Sequence, residues 1–412
     1  MGAADSDKKL YVGIDLDDDV AMVSYSYGNG EPETVSPLAG SEIFSIPAAV
    51  CLKRDKNGWA FGEEARRVAK AGLGHCEERL FERACRGEQV QMGEKLYALS
   101  ELLAMFLKKM VTLAGRLGPK ASLARLVITV RALDAAAIRT LQEVTAAMQL
   151  ADAHIHFIDH KQSFFYYGSS QGGTGGFHDM GLFEYRARKL QFWCLESARR
   201  SRPQLLTIRE ERYGFEAEQA DELFCRIIPQ ALGKKIITMI YLVGDGFESG
   251  WMKESLKVLC QGRRVFLGKN LFSKGACYAA MRLDDDKVPA FVYIGEHEMK
   301  SNVSLKVYER GNLSFHTLVT AGVPWFEAKG SCEVILDGTS TIDFWIQQPN
   351  SREARIEAVE LAALPGRENR TSRIAIDAEP YSDHEVKMTL TDVGLGELVP
   401  GSGKKWEYEL LL

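Results

Sequence analysis

The chain has 412 residues, enough for two or three domains that each bury a core of their own. Hydrophobic residues make up 46% and charged residues 26%, which excludes a disordered chain and describes a folded one. The formal net charge is −5 with both signs mixed along the chain, so nothing electrostatic favours nucleic acid as the main partner.

In chain order, "LYVGID" reads as a strand, followed by an acidic turn and a second strand "VAMVSYSY", together a hairpin. "SIPAAVCLKR" is a third strand candidate and leads through "DKNGWAFG" to a charged helical stretch from Glu63. Between Tyr97 and Leu117, Leu99, Leu102, Leu103, Phe106, Met110 and Leu113 recur at helical spacing and predict one buried face. "RLVITV" is an apolar strand, "DAAAIRTLQEVTAAMQL" a helix, "HIHFID" a strand, and "KQSFFYYGSS" a helix ending at Gly168. After the glycine-rich "QGGTGG" come a strand pair, "GLFEYRARKLQFWCLES" and "PQLLTIREERYG", and a helix at "AEQADELFCRIIPQAL". The buried strand "ITMIYLVG", the turn "DGFESG" and a helix from Trp251 follow. This alternation through about Leu283 predicts an α/β domain with a sheet covered on both faces.

From Val288 to Leu412 the pattern changes to short alternating stretches such as "VSLKVYER", "TIDFWIQQ", "SRIAIDAE" and "EVKMTLTD", separated by turn residues. That predicts an all-β sandwich, with "LDDDKVPA" as the linker. The eight cysteines include no CxxC, which argues against a zinc site or a disulfide framework and suits a reducing compartment. No apolar run spans a bilayer, and the amino end lacks a signal peptide's apolar stretch. Met1-Gly2 with Ser6 matches only the short myristoylation pattern, so the expectation is a soluble, cytoplasmic protein without a membrane partner.

The ordered set of segments resembles the DnaK-type (seventy-kilodalton heat-shock) chaperones of the actin-like ATPase superfamily. "YVGIDL" is similar to the family's first phosphate-loop strand, "IPAAVCLKRDKNGWAFGEEA" to its proline-valine strand and turn, and "LVITVRALDAAAIRTLQEVTAAMQL" to its next strand and helix. "GLFEYRARKLQFWCL" falls on the second phosphate loop, "IYLVGDGFESGWMKESLKVL" on the adenosine loop, and "LFSKGACYAAM" on the closing helix. "SRIAIDAEPYSDHEVKMTLTD" resembles a strand pair of the substrate-binding sandwich. The resemblance implies an actin-like (duplicated ribonuclease H-like) domain at 1–285, with halves at about 1–165 and 166–285, followed by a β-sandwich at 286–412.

The resemblance also says which chemistry to look for. Phosphate loops bring glycine backbone N–H groups, hydroxyls and lysines to phosphate. Asp15 matches the family's acid near the metal, but Asp17, Asp18 and Asp19 stand where it has a glycine and two threonines. Aspartates there face a polyanion with roughly 1 kcal/mol of repulsion per pair at about 4 Å even in bulk water. In the second loop Arg186, Ala187 and Arg188 replace the glycine triplet, Lys189 the threonine and Gln191 the second acid, while Glu184 stands in for the first. Arg186, Arg188 and Lys189 either hold an anion or form a solvated charged hairpin, and the hairpin is favoured because alternating arginines suit an exposed strand face.

His160 stands at the position of the catalytic glutamate, and Arg83 is the nearest cation to the place of the phosphate-contacting lysine. Gly244 and Gly246 keep the family's glycine turn and Gly275 the small residue of the closing helix, which turn geometry and close packing explain without a nucleotide. Short spacings suggest truncated clamp lobes, which leaves a cleft unable to enclose its ligand. The expectation is a pseudo-ATPase whose vestigial nucleotide cleft is lined by Asp15, Asp17, Asp18, Glu184, Arg186, Arg188, Gly244, Gly246 and Gly275. It is expected to need no cofactor and no metal.

Three further clusters are weighed and set aside. "QGGTGG" lacks the P-loop lysine and reads as a connector. His154, His156 and His160 with Asp159 lack a second metal-binding cluster, and Cys76 and Cys85 with His75 lack an activating constellation.

The expected function is nucleotide-independent, chaperone-like binding or scaffolding of a protein or extended peptide. Val323, Trp325 and Phe326 of "TAGVPWFEAKG" are candidate anchors that equally suit the sandwich core. Sequence continuing to Leu412 without the family's helical lid makes such binding open. The alternatives are a DnaK-like chaperone that binds ATP and Mg with weak or atypical ATPase activity, and a sugar or acetate kinase of the same superfold.

Overall fold

The computed structural model describes residues 8–28, 30–37, 40–41, 43–54, 58–117, 121–150, 154–171, 178–198, 203–215, 219–285 and 290–412. Two compact units form: Met1–Glu196 with Ile208–Val288, and Ser197–Thr207 with Pro289–Leu412.

The first unit contains two sheets built on one plan. In the first, Lys8–Leu16 pairs antiparallel with Val20–Tyr27, which pairs antiparallel with Glu33–Thr34. On its other side Lys8–Leu16 runs parallel to Ala121–Val130, itself parallel to His154–Asp159. In the second sheet Met180–Arg186 pairs antiparallel with Lys189–Ala198, and Gln204–Gly214 lies next in order. Met239–Val243 and then Arg264–Leu267 add in parallel on the other side. Each sheet has a sixth short strand, Ile46–Pro47 in one and Phe291–Tyr293 in the other; the remaining five strands of each read third, second, first, fourth, fifth in order of chain entry.

The central strands explain why these sheets are internal. Met180–Tyr185 and Met239–Val243 are buried throughout, as expected of strands covered on both faces. Helix Leu99–Gly115 buries the predicted face, and Asp134 and Asp159 cap their helices by accepting from the Ala137 and Gln162 N–H groups. Helix His160–Ser170 meets helix Leu271–Leu283 where a Cβ on Gly275 would run into the Ser163 carbonyl. Gly13 makes the matching approach from the first strand, where a Cβ would strike the Cys277 backbone. The closing helix therefore lies against both a helix and a strand with no room for a side chain.

A small antiparallel sheet in the same unit corrects the cysteine expectation at one pair. Val50–Lys53 lies between Trp59–Phe61 and Gly74–Glu77, and Cys51 faces Cys76 and is bonded to it. Strand register brings the two together, and their separation of 25 residues carries no motif. Cys85, Cys194, Cys225, Cys260, Cys277 and Cys332 are free.

The second unit contains two four-stranded antiparallel sheets. One orders Asn312–Val319, Asn302–Glu309, Thr341–Gln347, Arg355–Glu360, and the other Gly330–Ile335, Arg373–Pro380, Glu385–Asp392, Lys405–Leu411. Alternate residues point inward, so Leu305, Phe344, Ile376, Met388, Leu390 and Trp406 form part of the shared core. Arg367 grips the buried Asp392 with two hydrogen bonds of 2.8 and 2.9 Å, and Ser402 donates its N–H and hydroxyl to the same carboxylate. Burial alone would raise this carboxyl, but Arg367 and Ser402 outweigh it and hold it down to about 2.

Removing Arg367 leaves an unpaired buried carboxylate, so Arg367→Ala is expected to destabilise the sandwich by about 3–5 kcal/mol in denaturant melts. Because the folded carboxyl titrates below its ordinary value, the stabilisation is complete above the ordinary carboxylate range. It is lost as pH falls toward about 2. Melts of the wild type and the variant should therefore converge through that window; a difference that stays constant down to pH 2 would contradict the assignment.

Candidate functional site

Two turns of the first unit build the site, one from the leading hairpin of each sheet. In the first turn the Asp17 N–H donates to the Val20 carbonyl at 2.9 Å and the Asp17 carboxylate accepts the Asp18 N–H at 2.9 Å. In the second, Arg186 pairs with Lys189 across a two-residue turn, with Ala187 at φ 47° and Arg188 at φ 59°. Such a turn demands left-handed backbone twice and usually recruits Asn-Gly. Here it is made by an alanine and an arginine.

The two turns meet. Arg186 Nη1 pairs directly with Asp17 Oδ2. Arg131, just beyond strand Ala121–Val130, sets Nη2 3.4 Å from the same oxygen and Nη1 3.0 Å from Glu184 Oε1. The other Glu184 oxygen accepts from the Gln191 amide. Two carboxylates and two guanidiniums thus form a charge-neutral chain, Glu184–Arg131–Asp17–Arg186. Burial pushes the Asp17 carboxyl up, but Arg186, its own turn N–H bond and Arg131 outweigh that and leave it lowered. For Arg131, burial works against the charged form, and Glu184 and Asp17 more than restore it. Asp18 sits outside the pairing: burial, then Asp17 and Glu82, raise its pKa.

Asp15 is matched separately. Its Oδ1 lies 2.8 Å from His160 Nε2, and the His160 ring stacks on Phe272 at 3.9 Å. His160 is only 2% exposed, a buried imidazole that links Phe272 of the closing helix to Asp15 of the first strand. Arg188 and Lys189 are exposed and make no ion pair among the described residues, which fits the hairpin reading for those two. Arg186, by contrast, is partly buried and committed to Asp17.

In the turn after Met239–Val243 the glycines pack against protein. Gly244 has φ 104° and a Cβ there would strike the Tyr185 carbonyl; one on Gly246 would strike the Tyr185 ring. Trp251 Nε1 donates to the Gly246 carbonyl at 2.7 Å. The Tyr185, Phe215, Phe224, Phe247 and Trp251 rings pack together with centroids 4.6 to 6.3 Å apart.

The remaining candidates are dispersed. His156 contacts Arg125 at 3.0 Å while His154 is exposed, and no group of three metal-type side chains converges among the described residues. Arg83 is held by Glu77 at 2.6 Å and Glu88 at 2.8 Å. Cys76 is the partner of Cys51, and residues 172–176 of "QGGTGG" lie outside the described residues. In the second unit Phe326 is 7% exposed, and Val323 and Trp325 pack against the sandwich core. The one participant that sequence reasoning missed is Arg131. Its signal was available: it follows the carboxyl end of a central parallel strand, where open α/β sheets place their sites.

Residues 31–296 match the model described as "Family of unknown function (DUF5716) C-terminal", which covers more than half of the chain. The chain therefore belongs to the DUF5716 family. Residues 298–412 match a domain of unknown function, DUF8552. No curated protein matches the chain.

If the turns are joined by charge, a double-mutant cycle of Asp17→Asn and Arg186→Gln should give a coupling of about 0.5–1 kcal/mol in denaturant melts near neutral pH. Because the folded Asp17 carboxyl is lowered, the coupling is full above the ordinary aspartate range and is lost as pH falls through the folded pKa. Added salt should shrink it as well. Strictly additive mutations at neutral pH and low salt would contradict the pairing.

Proposed function

We propose that this protein is a nucleotide-independent, chaperone-like binding or scaffold protein. On this reading the first unit is an actin-like frame with a degenerate ATP site and acts as a pseudo-ATPase. The sandwich offers its surface to a protein or an extended peptide. The observation that carries the proposal is the ion-paired chain Glu184–Arg131–Asp17–Arg186, which joins the two turns that correspond to the phosphate loops.

The physical argument runs through charge and geometry. A phosphate seated between the turns would have to take Arg186 away from Asp17. The pair is partly exposed and worth only about 0.5–1 kcal/mol net, so the larger obstacle is the carboxylate that the exchange would free. The displaced carboxylate would then face the phosphate, with Asp18 beside it. On this reading His160 occupies the position of a water-orienting carboxylate, and its Nε2 is committed to Asp15. The repeated five-strand order of the two sheets supports an actin-like frame, and a fold alone does not bring its chemistry along.

Calorimetric titration of the full chain with ATP, ADP and magnesium decides between this reading and the ATP-binding one. The expected trace is flat to millimolar nucleotide. Saturable micromolar binding, or magnesium-dependent phosphate release above background, would overturn the proposal.

A further inference from the structure

The sandwich has four edge strands, and one is unguarded. Asn312–Val319, "NLSFHTLV", contains no lysine, arginine, carboxylate or proline. The other edges all carry charge: Arg355, Glu357 and Glu360 on one, Glu333 on the second, and Lys405, Glu407 and Glu409 on the third. An edge strand presents a row of unpaired N–H and C=O groups, and proteins normally protect it with charge, proline or a bulge. The register shift on this pair lies between Val303 and Ser304, opposite Val319 and Thr317, so Asn312–Thr317 stays regular. Nearly all side chains of that stretch are exposed, Leu313 by 51% and Phe315 by 56%.

The sheet face that runs inward from this edge is apolar as well. Leu313 lies opposite Tyr308, Phe315 opposite Lys306, and Trp345 opposite Ile356, so alternation puts all six on the outer face. Phe315 meets the Trp345 ring edge-on at 5.3 Å, and Lys306 Nζ lies 5.5 Å from that ring. Tyr308 is 79% exposed and Ile356 47%. The outer face of the opposing sheet is of the ordinary solvated kind, with Arg373, Asp377, Glu379 and Lys387. Two charges lie on this outer face beside the rings, Lys306 and the exposed Asp343, and Lys306 makes no ion pair among the described residues.

We propose that an extended segment of a partner protein adds to Asn312–Thr317 as a further strand of this sheet. Backbone hydrogen bonds at the bare edge supply affinity, and alternate apolar side chains of the segment prolong the Leu313–Phe315–Trp345 strip. Lys306 lies one strand nearer this edge than Asp343, so the strip favours a segment with an acidic flank over one with a basic flank. This rests on the reading of the chain as a binding protein, and it moves the contact from Val323, Trp325 and Phe326 to the sheet edge.

The test uses the full chain and an array of synthetic peptides about ten residues long that alternate valine or phenylalanine with threonine. Each is flanked by glutamates or by lysines, and the tightest binder is followed by amide hydrogen exchange. Glutamate-flanked peptides should bind better, and protection should appear at 312–317. Phe315→Lys should weaken binding roughly tenfold, with Trp325→Ala neutral. Thr317→Lys is the second variant should Phe315→Lys not fold. Protection centred on 323–326, or binding indifferent to both lysine variants, would overturn this inference and leave the binding reading standing. Concentration-dependent dimers that Phe315→Lys disrupts, without peptide capture, would overturn it in favour of a second copy at the edge. A wild-type chain that captures no peptide would overturn it together with the reading beneath it.

Discussion

The pairing of Asp17 with Arg186 is the interaction on which the account of the first unit depends. It joins the turn after the first strand of one sheet to the turn after the first strand of the other, and Arg131 extends it to Glu184. An acidic turn alone would repel an anion and a basic turn alone would attract one. Joined, Asp17 and Arg186 neutralise each other, while Asp18 stays outside the pairing and Arg188 faces solvent. The acidic residue of one turn and the basic residue of the other are therefore one feature, an ion pair between Asp17 and Arg186.

Around that contact the two sheets supply the geometry. Both place a hairpin on one side of the leading strand and parallel strands on the other, so the two leading turns occupy equivalent positions. The closing helix is held against the first strand and helix His160–Ser170 at glycines that admit no Cβ, and His160 reaches Asp15 across the same packing. Asp15, Gly244 and Gly275, the residues that most resemble a nucleotide site, all have structural duties here. Close packing at the glycines and one part-buried hydrogen bond at Asp15 are those duties.

What could be read from the sequence was what local pattern determines. The buried helix face from Leu99, the uniformly apolar central strands and the alternating strands after residue 300 follow from period and composition, whereas "GLFEYRARKLQFWCLES", which reads as one strand, folds into two about the turn at Arg186–Lys189. What could not be read was pairing at long separation. Asp17 and Arg186 are 169 residues apart, and taken singly each looks like a defect in a phosphate loop. Cys51 and Cys76 meet through strand register, and no spacing motif announces them. Trp325 and Phe326 were ambiguous for a related reason, since the same apolar residues serve as anchors when exposed and as core when covered. The exposed aromatic strip at Phe315 and Trp345 needed cross-strand register before its members could be seen to share a face.

The central claim is that the site between the two turns is filled by the protein's own ion pairs. A crystal structure grown with millimolar ATP and magnesium tests it most directly. The account predicts Arg186 still paired with Asp17, Arg131 still bridging to Glu184, and no nucleotide between the turns. Phosphate density there, with Arg186 swung from Asp17 onto the phosphate, would contradict it.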